Sequence, residues 1–277
     1  MKHYIYLFPT LIFMIALSIY PLAYLWYISF TDFSGGSINF IGLENYAYLI
    51  LKDPVFLTSL QNTMLYIALS LGVEIPLGLG LALLLNRKFR GKSVFLIIIM
   101  IPMIIPPVVA GLTFRMLYDP TLGILNYLLS VFGLRGMNWL SDPQIAMLSV
   151  ALIDIWQWTP FVTLVMLAGL QYLPLDVMEA AIIDGASSFQ VLRYITLPLL
   201  KRIFALAILF RLVDSIKAFE TIFLTTRGGP GYATQTLNIY TFLTSFTYFH
   251  FGVGAALAIL MVIITTFLVL LLFRILR

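Results

Sequence analysis

The amino-acid sequence predicts an all-α membrane protein: six transmembrane helices, a helix-turn-helix loop in the cytoplasm, and both termini on the cytoplasmic side. Three observations carry this. The 277 residues are 61% hydrophobic and only 10% charged, against about 25% charged in a soluble domain. Six predominantly apolar runs, approximately residues 4–30, 60–85, 94–118, 145–170, 203–226 and 251–273, are each long enough to cross a bilayer as a helix. Lys and Arg are also unevenly shared between the connecting segments. Lys2, Arg87, Lys88, Arg90, Lys92, Arg193, Lys201, Arg202, Arg274 and Arg277 fall on one side, and only Lys52, Arg135 and Arg227 on the other. The richer side is the cytoplasmic one. The net charge of +4 is then a topology signal and leaves a nucleic-acid partner nothing to explain. All 277 residues read as a single transmembrane domain.

The first run follows Lys2 as a secretory signal would, but it is too long, contains Pro9 and Pro21, and has no small-x-small site before Thr31-Asp32. It reads as a retained helix. The outer loop behind it carries Gly35-Gly36 and the aromatic residues Phe40 and Tyr46. These suit a membrane-interface position and equally a specific contact. On the second run, Gly72, Gly78 and Gly80 permit close helix approach, as do Gly254 and Ala258 on the sixth; the neighbour is in this chain or in another subunit. Pro102, Pro106 and Pro107 interrupt the third run. Each removes an amide donor, which is tolerated where freed carbonyls line a cavity; kinking for packing explains them equally well. Residues 124–134 form an apolar patch too short to span, placed in the interface or against the bundle. Near the sixth run, Arg227-Gly228-Gly229-Pro230-Gly231 is a turn cluster, and residues 234–248 form a short helix.

Charges inside the runs need a reason, since each costs roughly 2.5–3.5 kcal/mol at mid-helix. They are Glu74, Asp154, Arg211, Asp214, Lys217 and Glu220. On the fifth run four charges alternate in sign at intervals of three, so neighbours along the helix can neutralise one another. Helical spacing also puts Arg211, Asp214, Ser215 and Ala218 on one face, and Lys217, Glu220 and Thr221 on another. Asp154, Trp158 and Phe161 make a stripe on the fourth run. Such a stripe serves packing, or it serves a sugar, which needs flat apolar faces and a few hydrogen-bonding groups.

The loop 171–200 is the polar exception in this apolar chain. Asp176 stands three residues before Glu179, the spacing of an acidic capping box. Ala180 and Ala181 form helix with little bulk, which suits insertion into a groove of another protein. Gly185 permits the turn that ends a first short helix. Ser187 or Ser188 caps a second one over 189–196, and Pro198 ends it. The product is a compact knob.

Glu179-Ala180-Ala181, Gly185 and Ile195-x-Leu197-Pro198 resemble the coupling-loop signature of membrane subunits of binding-protein-dependent ABC importers. With Gly228-Gly229-Pro230 and the phrase Arg211-Leu212-Val213-Asp214-Ser215-Ile216-Lys217-Ala218-Phe219-Glu220, the chain looks like the carbohydrate-importer permeases of the maltose and glycerol-3-phosphate branch, over essentially its whole length. It lacks the extra N-terminal spans and large outer insertion of the bigger maltose-type permease. The resemblance implies a multi-pass subunit of a prokaryotic plasma membrane, surrounded by lipid. It further implies a second permease, two ATPase subunits that bind ATP and Mg, and an extracytoplasmic solute-binding protein. No Gly-x4-Gly-Lys-Ser/Thr phosphate loop occurs in the chain, so no cofactor is expected in it and it is not expected to be an enzyme. Coupling falls by resemblance to Asp176, Glu179, Ala180, Ala181, Gly185 and Ala186. The sugar-lining positions of the maltose type fall on Met103, Pro107, Asp154, Trp158, Phe161, Arg211, Asp214, Ser215 and Ala218. Several carry charges in place of amides. Asp214 beside Arg211 favours a neutral polyhydroxyl solute over a phosphorylated one. There are no cysteines, and the two histidines, His3 and His250, sit at distant segment ends, so no metal site is expected.

Overall fold

The computed structural model describes residues 8–34 and 37–276. Lys2, His3, the start of the first run, Gly35-Gly36 and Arg277 lie outside them. Among the described residues four helices are long and apolar enough to cross a membrane: α1 (Phe8–Ser29), α3 (Pro54–Asn86), α7 (Ala146–Gln171) and α14 (Phe251–Leu276). A fifth crossing is available if α4 (Lys92–Ile104) and α5 (Pro107–Leu117) count as one span, bent by 93°. The prolines explain the bend. Pro106 and Pro107 cannot donate the amides that would continue α4, and the freed Ile105 carbonyl accepts a 2.7 Å hydrogen bond from the Gln157 side chain of α7.

The expected fifth run is divided as well. Helix α11 (Lys201–Ile216) stops after 16 residues, and α12 (Glu220–Thr225) restarts three residues later. Lys217 and Ala218 donate to Asp214 and Ser215 in tight turns, and Asn238 Nδ2 takes the Lys217 carbonyl at 2.7 Å. The expectation of an all-α chain also needs a small correction, since β1 (Thr31–Ser34) and β2 (Ser37–Phe40) pair antiparallel with Thr31 opposite Phe40. This hairpin is tied to the end of α1 by α2 (Glu44–Leu51). Asn45 Nδ2 donates to the Ser29 and Thr31 carbonyls at 3.0 and 2.9 Å, and the Tyr46 hydroxyl to Ser29 Oγ at 2.7 Å. Tyr46 therefore packs within the chain, while Phe40 is exposed.

Helices α3 and α7 form the centre and run parallel. Tyr66 meets Met147 and Val150 at one end; Ala82 and Leu85 meet Met166 and Leu170 at the other. Helix α14 runs the same way, with Ala256 and Leu257 against Phe56 and with Leu268 and Val269 near Ile67. Helix α11 runs opposite, from Leu200 and Ala207 beside Leu170 to Ile216 beside Ile67. The bundle thus has two distinct ends.

Of the small residues on the second run, Gly78 lies where α3 touches α7. A Cβ there would sit 2.5 Å from Val162 Cγ1 and 3.1 Å from the Thr163 nitrogen, whereas one at Gly80 would meet nothing within 4 Å. Gly78→Ala is expected to destabilise the protein by about 1–3 kcal/mol. Gly80→Ala should be silent, with both read as midpoints of thermal unfolding of the purified transporter; equal midpoints would remove Gly78 from the contact.

Helix α6 (Ile124–Val131) is the short apolar patch. Its Leu125 packs near Tyr118 and Ile153, while Tyr127, Leu128 and Val131 stay exposed. The 227–231 turn contains left-handed Gly228 and Gly231, and α13 (Leu237–Phe242) with a π-helical turn, Leu243–Thr247, follows it.

Candidate functional site

Residues 171–200 fold as the expected knob. Helix α8 (Leu175–Ile183) leaves α7 through Pro174. The acidic capping box is not formed: Pro174 occupies the cap, no side chain caps the helix, and Asp176 sits inside the first turn. There its charge favours the helix dipole without serving as a cap. Gly185 ends α8 at φ +84°, with its amide on the Ile182 carbonyl at 3.0 Å and the Ala186 amide on Ala181 at 2.9 Å. That crossed pair is a Schellman closure, which glycine makes with least strain. Ser187 then caps α9 (Ser188–Val191): its Oγ accepts the Gln190 amide and Gln190 Oε1 accepts the Ser187 amide, a reciprocal capping box. A π-helical turn, Leu192–Thr196, and α10 (Leu197–Leu199) carry the chain onward, so Pro198 lies within a short helix and does not terminate the stretch at once.

The knob stands at the end of the bundle where α3 and α7 finish. Asp176, Glu179, Ala180 and Gly185 are exposed, and Ala181 and Ala186 half-buried. Around them Tyr172, Ile182, Ile183, Phe189 and Tyr194 are 92, 62, 84, 72 and 71% exposed. Exposed apolar surface of this kind on a polar loop is what protein partners or a membrane surface cover. Sequence reasoning weighed the small alanines and passed over these larger neighbours, although Ile182-Ile183 and Tyr194 could have been read as the contact residues.

The membrane charges assemble differently from the expected faces. Arg211 of α11 is 1% exposed and reaches across the bundle. Its Nε donates to Glu74 Oε2 at 2.6 Å and its Nη2 to Glu74 Oε1 at 2.9 Å, the bidentate fork that guanidinium makes with carboxylate. The same Nη2 donates to Asp154 Oδ2 of α7 at 2.7 Å and, at 3.4 Å, approaches Ser215 Oγ. Three helices are therefore joined through one side chain. Burial makes this triad obligatory, because each member alone would be an uncompensated charge away from water. The Arg211 guanidinium carbon also stands 5.2 Å from the centre of the Trp158 ring, within cation–π range. One turn on, Phe161 meets Phe210 edge-on at 6.2 Å.

Asp154, Trp158, Arg211 and Ser215 thus come together, while Phe161 lies one turn beyond, against Phe210. Asp214 does not join them: it is exposed and pairs with Lys217 at 3.6 Å along the chain. The expected neutralisation between neighbours holds for that exposed pair only, and Arg211 takes its counter-charges from other helices. Ala218 lies past the end of α11, packed near Tyr66 and Ile222, so it does not share the Arg211 face. Lys217, Glu220 and Thr221 share no helical face either, since the break separates them. Met103 and Pro107 flank the α4–α5 bend and are half-buried. Sequence reasoning marked Glu74 as a charge needing explanation and left it out of the site, and it missed Gln157; a pairing 137 residues apart has no local signature.

A helical bundle with several membrane-length helices, buried charges, an interrupted span and an exposed apolar knob is the architecture of a multi-pass membrane protein. A family model, the binding-protein-dependent transport system inner membrane component, matches residues 74–277. The chain belongs to that family and is a transport permease subunit, not an enzyme. It is 38% identical over 224 residues to the trehalose/maltose transport system permease protein MalF of Thermococcus litoralis, covering 80% of this chain and 74% of that one. It is 35% identical over 256 residues to the sulfoquinovosyl glycerol transport system permease protein SmoG of Agrobacterium fabrum, covering 91% and 83%. The fold is shared with a bacterial alginate ABC transporter solved in complex with an alginate pentasaccharide-bound periplasmic protein. The TM-score is 0.85 at 23% identity, over 98% of this chain and 92% of that one.

Proposed function

We propose that this chain is the membrane subunit of an ATP-driven importer for a neutral sugar or polyol, working by alternating access in a prokaryotic plasma membrane. The observation that carries the coupling half is the knob: a rigid double helix closed at Gly185, with large apolar side chains exposed outside any membrane-length helix. Its occupant in this reading is an ATPase subunit, one of two that bind ATP and Mg, beneath this chain and a second permease. The 1–277 domain crosses six times, with α11 and α12 together making the fifth crossing and both termini lying on the knob side, in the cytoplasm. A solute-binding protein delivers the solute at the opposite end.

The sugar half rests on the names of the relatives and on the chemistry of the cluster around Arg211. Trp158 and Phe161 offer flat rings, and Asp154, Arg211 and Ser215 offer acceptors and donors, the combination that recognises a polyhydroxyl ring. We assign Met103 and Pro107 to the wall of the same path and place Asp214 and Ala218 near its outer end. Glu74 and Asp154 both oppose a bound phosphate, so a phosphorylated solute is disfavoured. Asp214, exposed and paired with Lys217, takes no part in that repulsion. Movement of the knob by the ATPase would shift α7 and α11 against α3 and loosen the contacts that join them.

The test is reconstitution. The chain co-assembled with its partner permease and ATPase subunits in liposomes should take up maltose or trehalose only with ATP and the loaded binding protein. The chain alone under a proton or sodium gradient should take up none. Gradient-driven uptake by the chain alone, or ATP hydrolysis indifferent to every sugar-loaded binding protein, would refute the proposal.

A further inference from the structure

At the end of the bundle opposite the knob, the starts of α3 and α14, the end of α2, helix α13 and the loop before it line an open cavity of about 660 Å³. This lies within the range of small-molecule sites, about 300–1,000 Å³. Three tyrosine rings stand at its mouth: Tyr48, Tyr232 and Tyr248 are 47, 54 and 58% exposed. Deeper in, Asp53 and Gln235 are buried at 8 and 5% exposure, with Thr244 beside them.

The wall is fixed by hydrogen bonds, while the rings are free. Asp53 caps α3 through its Oδ1, which accepts the Val55 amide at 2.9 Å, and its Oδ2 accepts the Tyr240 hydroxyl. Burial, and then that bond to Asp53, raises the Tyr240 pKa, so the hydroxyl stays protonated. Asn62 Nδ2 donates to the Tyr232 and Gln235 carbonyls at 2.6 and 3.2 Å, which pins the loop carrying both residues.

Tyrosines near a membrane surface ordinarily form an aromatic belt spread around the perimeter. Here four of them, from three separate stretches of chain, converge on one concavity that also holds a buried carboxylate and a buried amide. Flat apolar faces with hydrogen-bonding groups spaced between them suit a polyhydroxyl ring; the buried Asp53 disfavours an anion, and the lining's other titratable side chain besides the tyrosines, His250, is exposed. We propose that this cavity is a second carbohydrate subsite, separate from the Arg211 cluster, where a neutral sugar or polyol rests before it enters the bundle. The inference rests on the proposed import function, which puts this end outside.

The absence of cysteine from the chain provides the test. Tyr232→Cys and Tyr48→Cys are introduced singly into the complete transporter, with Leu122→Cys, 90% exposed on another loop, as the control. Labelling by a small methanethiosulfonate reagent is timed without the binding protein and corrected for the parent complex. The probe is whichever of maltose, trehalose and glycerol the parent complex takes up. Expected is protection by the factor 1 + [L]/Kd, about tenfold at ten times Kd, at both cavity positions and not at Leu122→Cys. Uptake with no protection at either position overturns the subsite. So does absence of labelling in the complex, which means that a partner covers the cavity, or protection by empty binding protein alone, which makes it a docking face. Uptake of none of the three solutes, together with ATP hydrolysis indifferent to every sugar-loaded binding protein, refutes the import proposal itself and takes the subsite with it.

Discussion

Arg211→Ala is expected to give a transporter that assembles poorly and unfolds early, because it strands Glu74 and Asp154 facing each other out of reach of water. Removing one partner of a buried ion pair costs about 3–5 kcal/mol, and here two carboxylates lose the same counter-charge. The loss should appear as reduced yield of the assembled complex and a lowered midpoint of thermal unfolding. The diagnostic experiment is repair. Arg211→Met combined with Glu74→Gln and Asp154→Asn removes all three charges together, and should recover most of the stability while leaving transport impaired. Neutral, well-packed substitutes for buried ions are often as stable as the ions. If the single variant were as stable as the parent, or the triple variant no better than the single, the three-helix triad would not be what holds this part of the bundle.

Gly185→Pro should leave the bundle assembled and abolish its connection to ATP hydrolysis. Gly185 adopts φ +84°; a proline ring holds φ near −65° and also removes the amide that closes on Ile182. The mismatch costs roughly 3 kcal/mol or more, and it falls on a segment whose side chains are mostly exposed, so the knob loses its shape while α7 and α11 keep theirs. Stimulation of ATP hydrolysis by the sugar-loaded binding protein should then fall by more than about tenfold, the factor that 1.4 kcal/mol represents. Gly185→Ala serves as the graded case. Nothing lies within 4 Å of its Cβ, so only the left-handed backbone is penalised, by about 1–2 kcal/mol, and a partial loss should follow. Full stimulation in the proline variant, with the complex intact, would show that the knob does not transmit the signal.

The candidate site was legible in part, and the boundary follows the range of the forces involved. The turn at Gly185 and a serine cap just after it were readable because both act within one turn of chain, while the choice of Ser187 over Ser188 came with its reciprocal bonds to Gln190. Asp176 misled for a related reason: the capping spacing was present, but Pro174 already occupied the start of the helix. The end of α11 at Ile216 carried no warning, since neither proline nor glycine lies between Arg211 and Thr226. It is compensated from a distance by Asn238 on the Lys217 carbonyl. Because the helix stops there, the counting that put Ala218 on the Arg211 face ran past the end of the element it assumed.

By itself the sequence determined the medium, the long apolar helices α1, α3, α7 and α14, the proline break between α4 and α5, and the shape of the knob. Each of these depends on transfer of apolar residues out of water or on hydrogen bonds between near neighbours. Only the tertiary structure decided which charges meet: that Arg211 belongs to Glu74 and Asp154 while Asp214 turns outward, that Gln157 satisfies Ile105, and that four tyrosines share a cavity with Asp53. Away from water an unpaired charge or carbonyl is unfavourable, so packing that brings such groups to partners is favoured, and the partner is selected by position in space, whatever its distance along the chain.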